Sequence, residues 1–259
     1  MPSLCAAQIE ELTQLPAGEP AQGEILIKNG SVRTLDFARF LRTLPDGSVD
    51  LILTDPPYSI SRKTGFSNVK NGVERFAVSM DFGKWDHQEI DLCCLAELSY
   101  TVLRPGGTII VFYDLWKITP LADALTSAGL KQLRFIQWTK TNPVPLNSKR
   151  NYLTNSREVA VLAVKGGKPT FNSEYDNGEY THPIPRERRQ HPTQKPLALM
   201  RQLVEKHSRV GDLVVDPFLG SGTTGVAAIE TGRRFTGCDK DKEYSAMARA
   251  RIKHAKSQK

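Results

Sequence analysis

The stretch that most restricts how this chain can fold is Val49-Asp50-Leu51-Ile52-Leu53 running directly into Thr54-Asp55-Pro56-Pro57-Tyr58-Ser59-Ile60. The apolar run reads as a buried strand. The carboxylate, two prolines and aromatic ring behind it place stiff, polar groups at the strand's carboxyl end, where open α/β sheets bind their ligands. Packing alone asks for none of them. Proline fixes φ and donates no backbone hydrogen bond, so Pro56 and Pro57 stiffen the loop and leave the carbonyls of Asp55 and Pro56 to accept. Tyr58 supplies a flat ring on which a planar group can stack, at roughly 1–3 kcal/mol if that group is a base. An ordinary Asp-Pro turn is the competing reading of so short a motif, and a second feature has to support the richer one.

That feature is Leu213-Val214-Val215-Asp216-Pro217-Phe218-Leu219-Gly220-Ser221-Gly222-Thr223-Thr224. A buried strand again delivers an acid, and Gly-x-Gly at the mouth of a helix lets backbone approach a ligand where a Cβ would clash. Asp239, at the end of the next strand, lies about 20 residues on, the spacing at which a carboxylate takes the hydroxyls of a ribose. A phosphate-binding loop would carry Gly-Lys-Ser/Thr, and the dinucleotide pattern Gly-x-Gly-x-x-Gly is not met either. Asp216 would also repel a pyrophosphate. A cofactor with an amino-acid end, whose ammonium can pair with a carboxylate, suits the stretch better, and S-adenosylmethionine is that cofactor.

The remainder has the rhythm of an α/β protein. Strands are expected at 25–28, 49–54, 108–113, 133–139, 158–164, 213–216 and 234–238. Helices are expected where Phe37, Phe40, Leu41 and Leu44 share a face, over roughly 88–103, 117–129, 223–231 and 241–254, and along Leu197, Leu199, Met200, Leu203 and Val204. Residues 59–86 are polar and aperiodic and read as a functional loop. With 259 residues, 39% of them hydrophobic, the chain can bury a core as one domain. A net charge of +7 favours an anionic partner. Between 141 and 195 nine Lys or Arg stand against five Asp or Glu, which makes this segment the candidate nucleic-acid face, with Lys149, Arg150, Arg186, Arg188 and Arg189 as contacts. Cys5, Cys93, Cys94 and Cys238 show neither metal-ligand spacing nor a disulfide framework, and His191 has no second His at metal spacing, so no metal is expected. The absence of a signal peptide and of an apolar run of about 18 residues points to the cytoplasm and away from the membrane.

Thr54–Tyr58, Leu103–Gly107, Trp138–Pro143, His191–Pro196 and Asp216–Thr224 look like the successive motifs of the amino-group DNA methyltransferases. The order resembles the β class of that family, in which the catalytic Asp-Pro-Pro-Tyr precedes the cofactor loop, and it extends over residues 24 to 252. The resemblance implies a Rossmann-like α/β fold: a seven-stranded, mostly parallel sheet with helices on both faces and the catalytic half first. It divides the chain into an arm at 1–24, a catalytic half at 25–140, a target-recognition segment at 141–190 and a cofactor half at 191–259. The strands ending at Asp55 and Asp216 become neighbours at the sheet centre.

It implies an activity as well: transfer of methyl from S-adenosylmethionine to the exocyclic N6 amine of an adenine flipped out of double-stranded DNA. Asp55 and the Pro56 carbonyl would accept the amine hydrogens, Pro57 would stiffen the loop, and Tyr58 would stack on the base. Asp216, Pro217, Phe218, Gly220, Ser221, Gly222 and Thr223 would form the pocket for the methionine end, Asp239 would hold the ribose, and Lys195 would pair the cofactor carboxylate. The family often shows Asp after Asn29-Gly30, where this chain has Ser31. Two alternatives stand beside this reading. One is the same chemistry on cytosine N4, on RNA or on a protein amide. The other is a non-catalytic nucleic-acid binder on the same scaffold. The Asp at position 55 favours adenine, since the cytosine enzymes usually carry Ser there. A homodimer and a cognate restriction endonuclease are the further partners the resemblance suggests.

Overall fold

The computed structural model describes residues 25–27, 30–57, 66–70, 73–78, 90–143, 154–185 and 194–257. Its strands are β1 Ile25–Ile27, β2 Gly30–Thr34, β3 Val49–Thr54, β4 Phe66–Lys70, β5 Val73–Val78, β6 Leu103–Tyr113, β7 Lys131–Lys140, β8 Arg157–Val164, β9 Glu179–His182, β10 Leu213–Asp216 and β11 Arg234–Asp239. Its helices are α1 Phe37–Arg42, α2 Leu92–Val102, α3 Ile118–Ser127, α4 Leu197–His207, α5 Thr223–Glu230 and α6 Lys242–Ser257. Nine strands form one sheet in the order β1-β2-β11-β10-β3-β6-β8-β7-β9, while β4 and β5 pair with each other. From β2 to β6 the neighbours are parallel; β8 is antiparallel to both β6 and β7, and β9 is parallel to β7.

The centre of the sheet lies where the sequence places it. Val214 pairs with Leu51 and Val215 with Ile52, so β3 and β10 run side by side and Asp55 and Asp216 leave from the same edge. After β3 the chain continues to one side, into β6, and after β10 to the other, into β11, which makes this pair the switch point of the sheet. β3 is buried at five of its six positions, as a parallel strand covered on both faces must be. Leu51, Leu53 and Val214 join Leu199 and Leu203 of α4, Val226 of α5 and Ile252 of α6 in one core. Val49, Ile52 and Val215 join Phe40 of α1, Leu95 of α2 and Leu121 and Leu125 of α3 in the other. Asp36 and Asp91 start α1 and α2 by accepting the backbone N–H of Ala38 and Cys94, each at 2.9 Å.

The one polar residue inside the first apolar run has a structural task. Asp50 pairs with the Arg104 guanidinium and accepts the Leu213 N–H at 2.8 Å, which ties the lower ends of β3, β6 and β10 together. β6 starts earlier than expected, at Leu103, and a register shift between Val49 and Leu51 absorbs Arg104–Gly107. The sheet also exceeds seven strands. β2 and β9, the two strands added to it, carry too few apolar residues to announce themselves, and the β4–β5 hairpin, inside the segment read as a loop, pairs apart from it. Among the described residues no helix is long and apolar enough to cross a membrane.

Candidate active site

β3 and β10 each deliver a carboxylate into one open cleft, which Asp55, Lys195, Asp216, Phe218 and Gly220 help to line. Asp216 is buried and well held. Its Oδ1 accepts from the Thr54 hydroxyl at 2.7 Å and from the Phe218 N–H at 3.1 Å. Burial raises its pKa to about 6; bonds from Thr54, Thr224 and the Phe218 N–H pull it down, and the nearby Asp55 charge adds to the rise. Thr54 therefore belongs to both strands, because it ends β3 and binds the acid that ends β10.

Asp55 is held on one side only. Its Oδ2 accepts from the Lys195 ammonium, while its buried Oδ1 has no hydrogen-bond partner among the described residues. Burial raises this acid to about 6 as well, Lys195 opposes the rise and Glu158 adds to it. A buried acceptor without a donor is costly by about 1–3 kcal/mol, and at the mouth of a cleft it marks where a ligand's donor belongs. Lys195 lines the same cleft, but its ammonium is engaged by Asp55 and, at 3.0 Å, by Glu158 Oε2.

The loop after β10 keeps the expected residues together, for reasons that differ between them. Gly220 has φ +49° and a Cβ there meets nothing within 4 Å, so its side stays open toward the cleft. Gly222, at φ +81°, is small for another cause: a Cβ would sit 2.8 Å from the Ala248 Cβ of α6. Its requirement is helix packing and not ligand approach. Ser221 and Thr223 are buried, and Arg251 of α6 donates to the Ser221 carbonyl and, at 3.3 Å, to Thr223 Oγ1. Phe218 stacks on Phe37 of α1, with ring centres 5.0 Å apart. Asp239 accepts the Gly220 N–H and the Asp241 N–H, each at 2.9 Å, and burial raises its pKa despite those two bonds. Ser31 turns to the sheet, its hydroxyl 2.8 Å from that of Thr236.

Glu158, Lys140 and Thr54 carry no site role in the sequence reading. Lys140 Nζ lies 2.8 Å from Glu158 Oε1. Glu158 escaped notice because it stands near the start of its strand, and only the antiparallel direction of β8 brings that end to the edge where β3 and β6 finish. Tyr58, Lys149, Arg150, Arg186, Arg188, Arg189 and His191 lie outside the described residues. The stems of the basic segments do not. Asn142 accepts the Ile184 N–H at 2.6 Å and donates to its carbonyl at 3.2 Å, so the chain entering 144–153 and the chain entering 186–193 leave from one place.

Two acids thus meet at a switch point, one with an open acceptor and one beside a glycine turn. Residues 49–250 match the N6/N4 family of DNA methylases. The chain is 36% identical to the Type II methyltransferase M2.DpnII of Streptococcus pneumoniae, over 84% of this chain and 87% of that one. It is 34% identical to M2.LlaDCHI of Lactococcus lactis subsp. cremoris over the same shares. A crystal structure of the M1.HpyAVI complex with S-adenosylmethionine superposes with a TM-score of 0.65 at 30% identity, over 86% of this chain and 99% of that one. The cytosine-N4-specific PvuII methyltransferase shares the fold, with a TM-score of 0.68 at 18% identity over 87% of this chain and 86% of that one. The chain belongs to the N6/N4 DNA methylase family and is an S-adenosylmethionine-dependent DNA methyltransferase.

Proposed function

We propose that the base methylated is adenine, at its exocyclic N6, and that the unpartnered Oδ1 of Asp55 is its acceptor. An aromatic amine is a weak nucleophile because its lone pair is delocalised into the ring. Two acceptors, Asp55 Oδ1 and the Pro56 carbonyl, take its two hydrogens, favour a pyramidal nitrogen and turn the lone pair out of the ring plane. Bound S-adenosylmethionine supplies a methyl made electrophilic by its positive sulfur. Once alkylated, the nitrogen is far more acidic, and the Asp55 carboxylate, raised to about 6, is the base beside it.

The cleft suits this cofactor by its donor set. Asp216 presents a carboxylate to the methionine ammonium, Gly220 leaves open space, and Asp239 keeps acceptor capacity for ribose hydroxyls after its two backbone bonds. Pro217, Phe218, Ser221, Gly222 and Thr223 shape the wall around them. Extracting the base from the duplex costs a few kcal/mol, which stacking on Tyr58 offsets. The basic residues Lys149, Arg150, Arg186, Arg188 and Arg189 contact the DNA backbone in this reading, with 141–190 as the recognition segment. A second copy of the chain and a cognate restriction endonuclease complete the proposed partners; the Type II naming of the relatives supports the latter.

Incubation with labelled cofactor and duplex DNA, followed by digestion to nucleosides, tests the base. N6-methyladenine is expected. N4-methylcytosine would overturn the choice of base, and DNA binding without any methylated nucleoside would favour the non-catalytic scaffold.

A further inference from the structure

Reading Asp55 as the amine acceptor leaves a question that the neighbouring charges answer. The carboxylate has to stay ionised although buried, and one of its oxygens has to stay open in a fixed direction. The charged groups facing it are Lys195 just before α4, Glu158 on β8, Lys140 on β7 and Asp216 on β10. Asp55, Lys195, Glu158 and Lys140 form a chain of alternating sign. Lys195 is 4% exposed, donates to Asp55 Oδ2, lies 3.0 Å from Glu158 Oε2 and rests over the Phe112 ring at 5.1 Å. Lys140 closes the chain at 2.8 Å from Glu158 Oε1.

We infer that Glu158 and Lys195 are positioning residues for methyl transfer: Glu158 anchors the Lys195 ammonium against Asp55 Oδ2, so that Oδ1 remains the acceptor for the target amine. The inference rests on the role of Asp55 proposed above. Stability alone does not call for such a chain, because buried ion pairs gain little over apolar residues of the same size. The two acids that share Lys195 are also unlike. Burial would raise Glu158, but Lys195 and Lys140 outweigh it and hold the carboxyl below its usual range, whereas Asp55 rises to about 6. Glu158 is thus the fixed charge and Asp55 the group that titrates, the division of labour expected of an anchor and a working acid.

Two substitutions separate this from simple packing, because they act on Asp55 with opposite sign. Lys195→Met removes the opposing cation, so the Asp55 midpoint moves up by roughly 1 to 3 pH units. Glu158→Gln removes a like charge and leaves Lys195 and Lys140 unneutralised, so the midpoint moves down. Carboxyl carbon NMR of the cofactor-free protein reads Asp55 directly. Single-turnover methylation across pH should show its acid limb following the midpoint, with a rate loss of about tenfold at pH 7 in Lys195→Met. Glu158→Gln should lower kcat with KM for DNA unchanged, and Lys195→Arg should restore the wild-type midpoint. An unmoved midpoint in Lys195→Met, or shifts of the same sign in both variants, overturns the inference. NMR shifts of the expected signs in a protein that methylates no adenine would sink the proposed function and leave the charge chain standing.

Discussion

Asp216 shows what a buried acid costs the fold. Its pKa is about 6 in the folded chain against 3.8 for an ordinary Asp. A raised folded-state value means that the folded chain holds the proton more tightly. The favourable contribution is complete below pH 3.8 and is lost as pH rises through about 6. Asp216→Asn cannot ionise and keeps an oxygen for Thr54 and the Phe218 N–H. It should be more stable than wild type above pH 6 by on the order of 3 kcal/mol and converge with it below pH 4. Urea unfolding at pH 4, 6 and 8 measures this, and parallel curves would contradict a buried, ionised Asp216. Asp55→Ala tests the other acid: calorimetry should find cofactor binding retained while turnover falls by orders of magnitude, because the lost contact is to the reacting amine and strengthens in the transition state. Both acids were legible because each follows an apolar run at the carboxyl end of a parallel strand. Glu158 was not, since nothing local tells which way β8 runs.

Between elements, the two glycines of the cofactor loop divide the work that the Gly-x-Gly pattern attributes to both. Gly222 is where α5 begins and where α6 crosses it, with Ala248 at 2.8 Å from any added Cβ. Gly222→Ala combines left-handed strain with overpacking and should destabilise by roughly 2 to 4 kcal/mol. Gly220→Ala meets no neighbour and should cost only about 1–2 kcal/mol of backbone strain. Its larger effect should fall on cofactor affinity, because the new methyl occupies cleft space. Thermal unfolding with and without S-adenosylmethionine distinguishes them, and equal Tm losses without cofactor would contradict this division. The same contrast explains which elements the sequence disclosed. β3, β6 and β10 are buried on both faces and carry apolar runs, and α1 and α4 show one apolar face. β9, Glu179–His182, buries only Tyr180 and exists because β7 offers it an edge, which no local pattern reports.

At the scale of the molecule, the sheet collects onto one edge what the sequence scatters. Asp55 follows β3, Glu158 stands at the start of β8, and the stems of both basic segments meet at the Asn142–Ile184 clamp. Trp138 reinforces that place by donating its ring N–H to the His182 carbonyl at 2.9 Å. On the far side of segment 186–193, Gln194 and Lys195 stand in the wall of the cleft. Both basic segments therefore begin at the edge where the proposed base would arrive. Arg188→Ala combined with Arg189→Ala should weaken duplex binding. If both contact phosphates, the slope of log affinity against log salt should flatten by about 2. Cofactor affinity should not change, because in this reading both arginines serve the DNA and not the cofactor. Fluorescence anisotropy over a salt series gives the slope. Equal slopes for variant and wild type would return these arginines to ordinary solvated surface and move the phosphate contacts to Lys149 and Arg150, whose segment leaves from the other side of the same clamp.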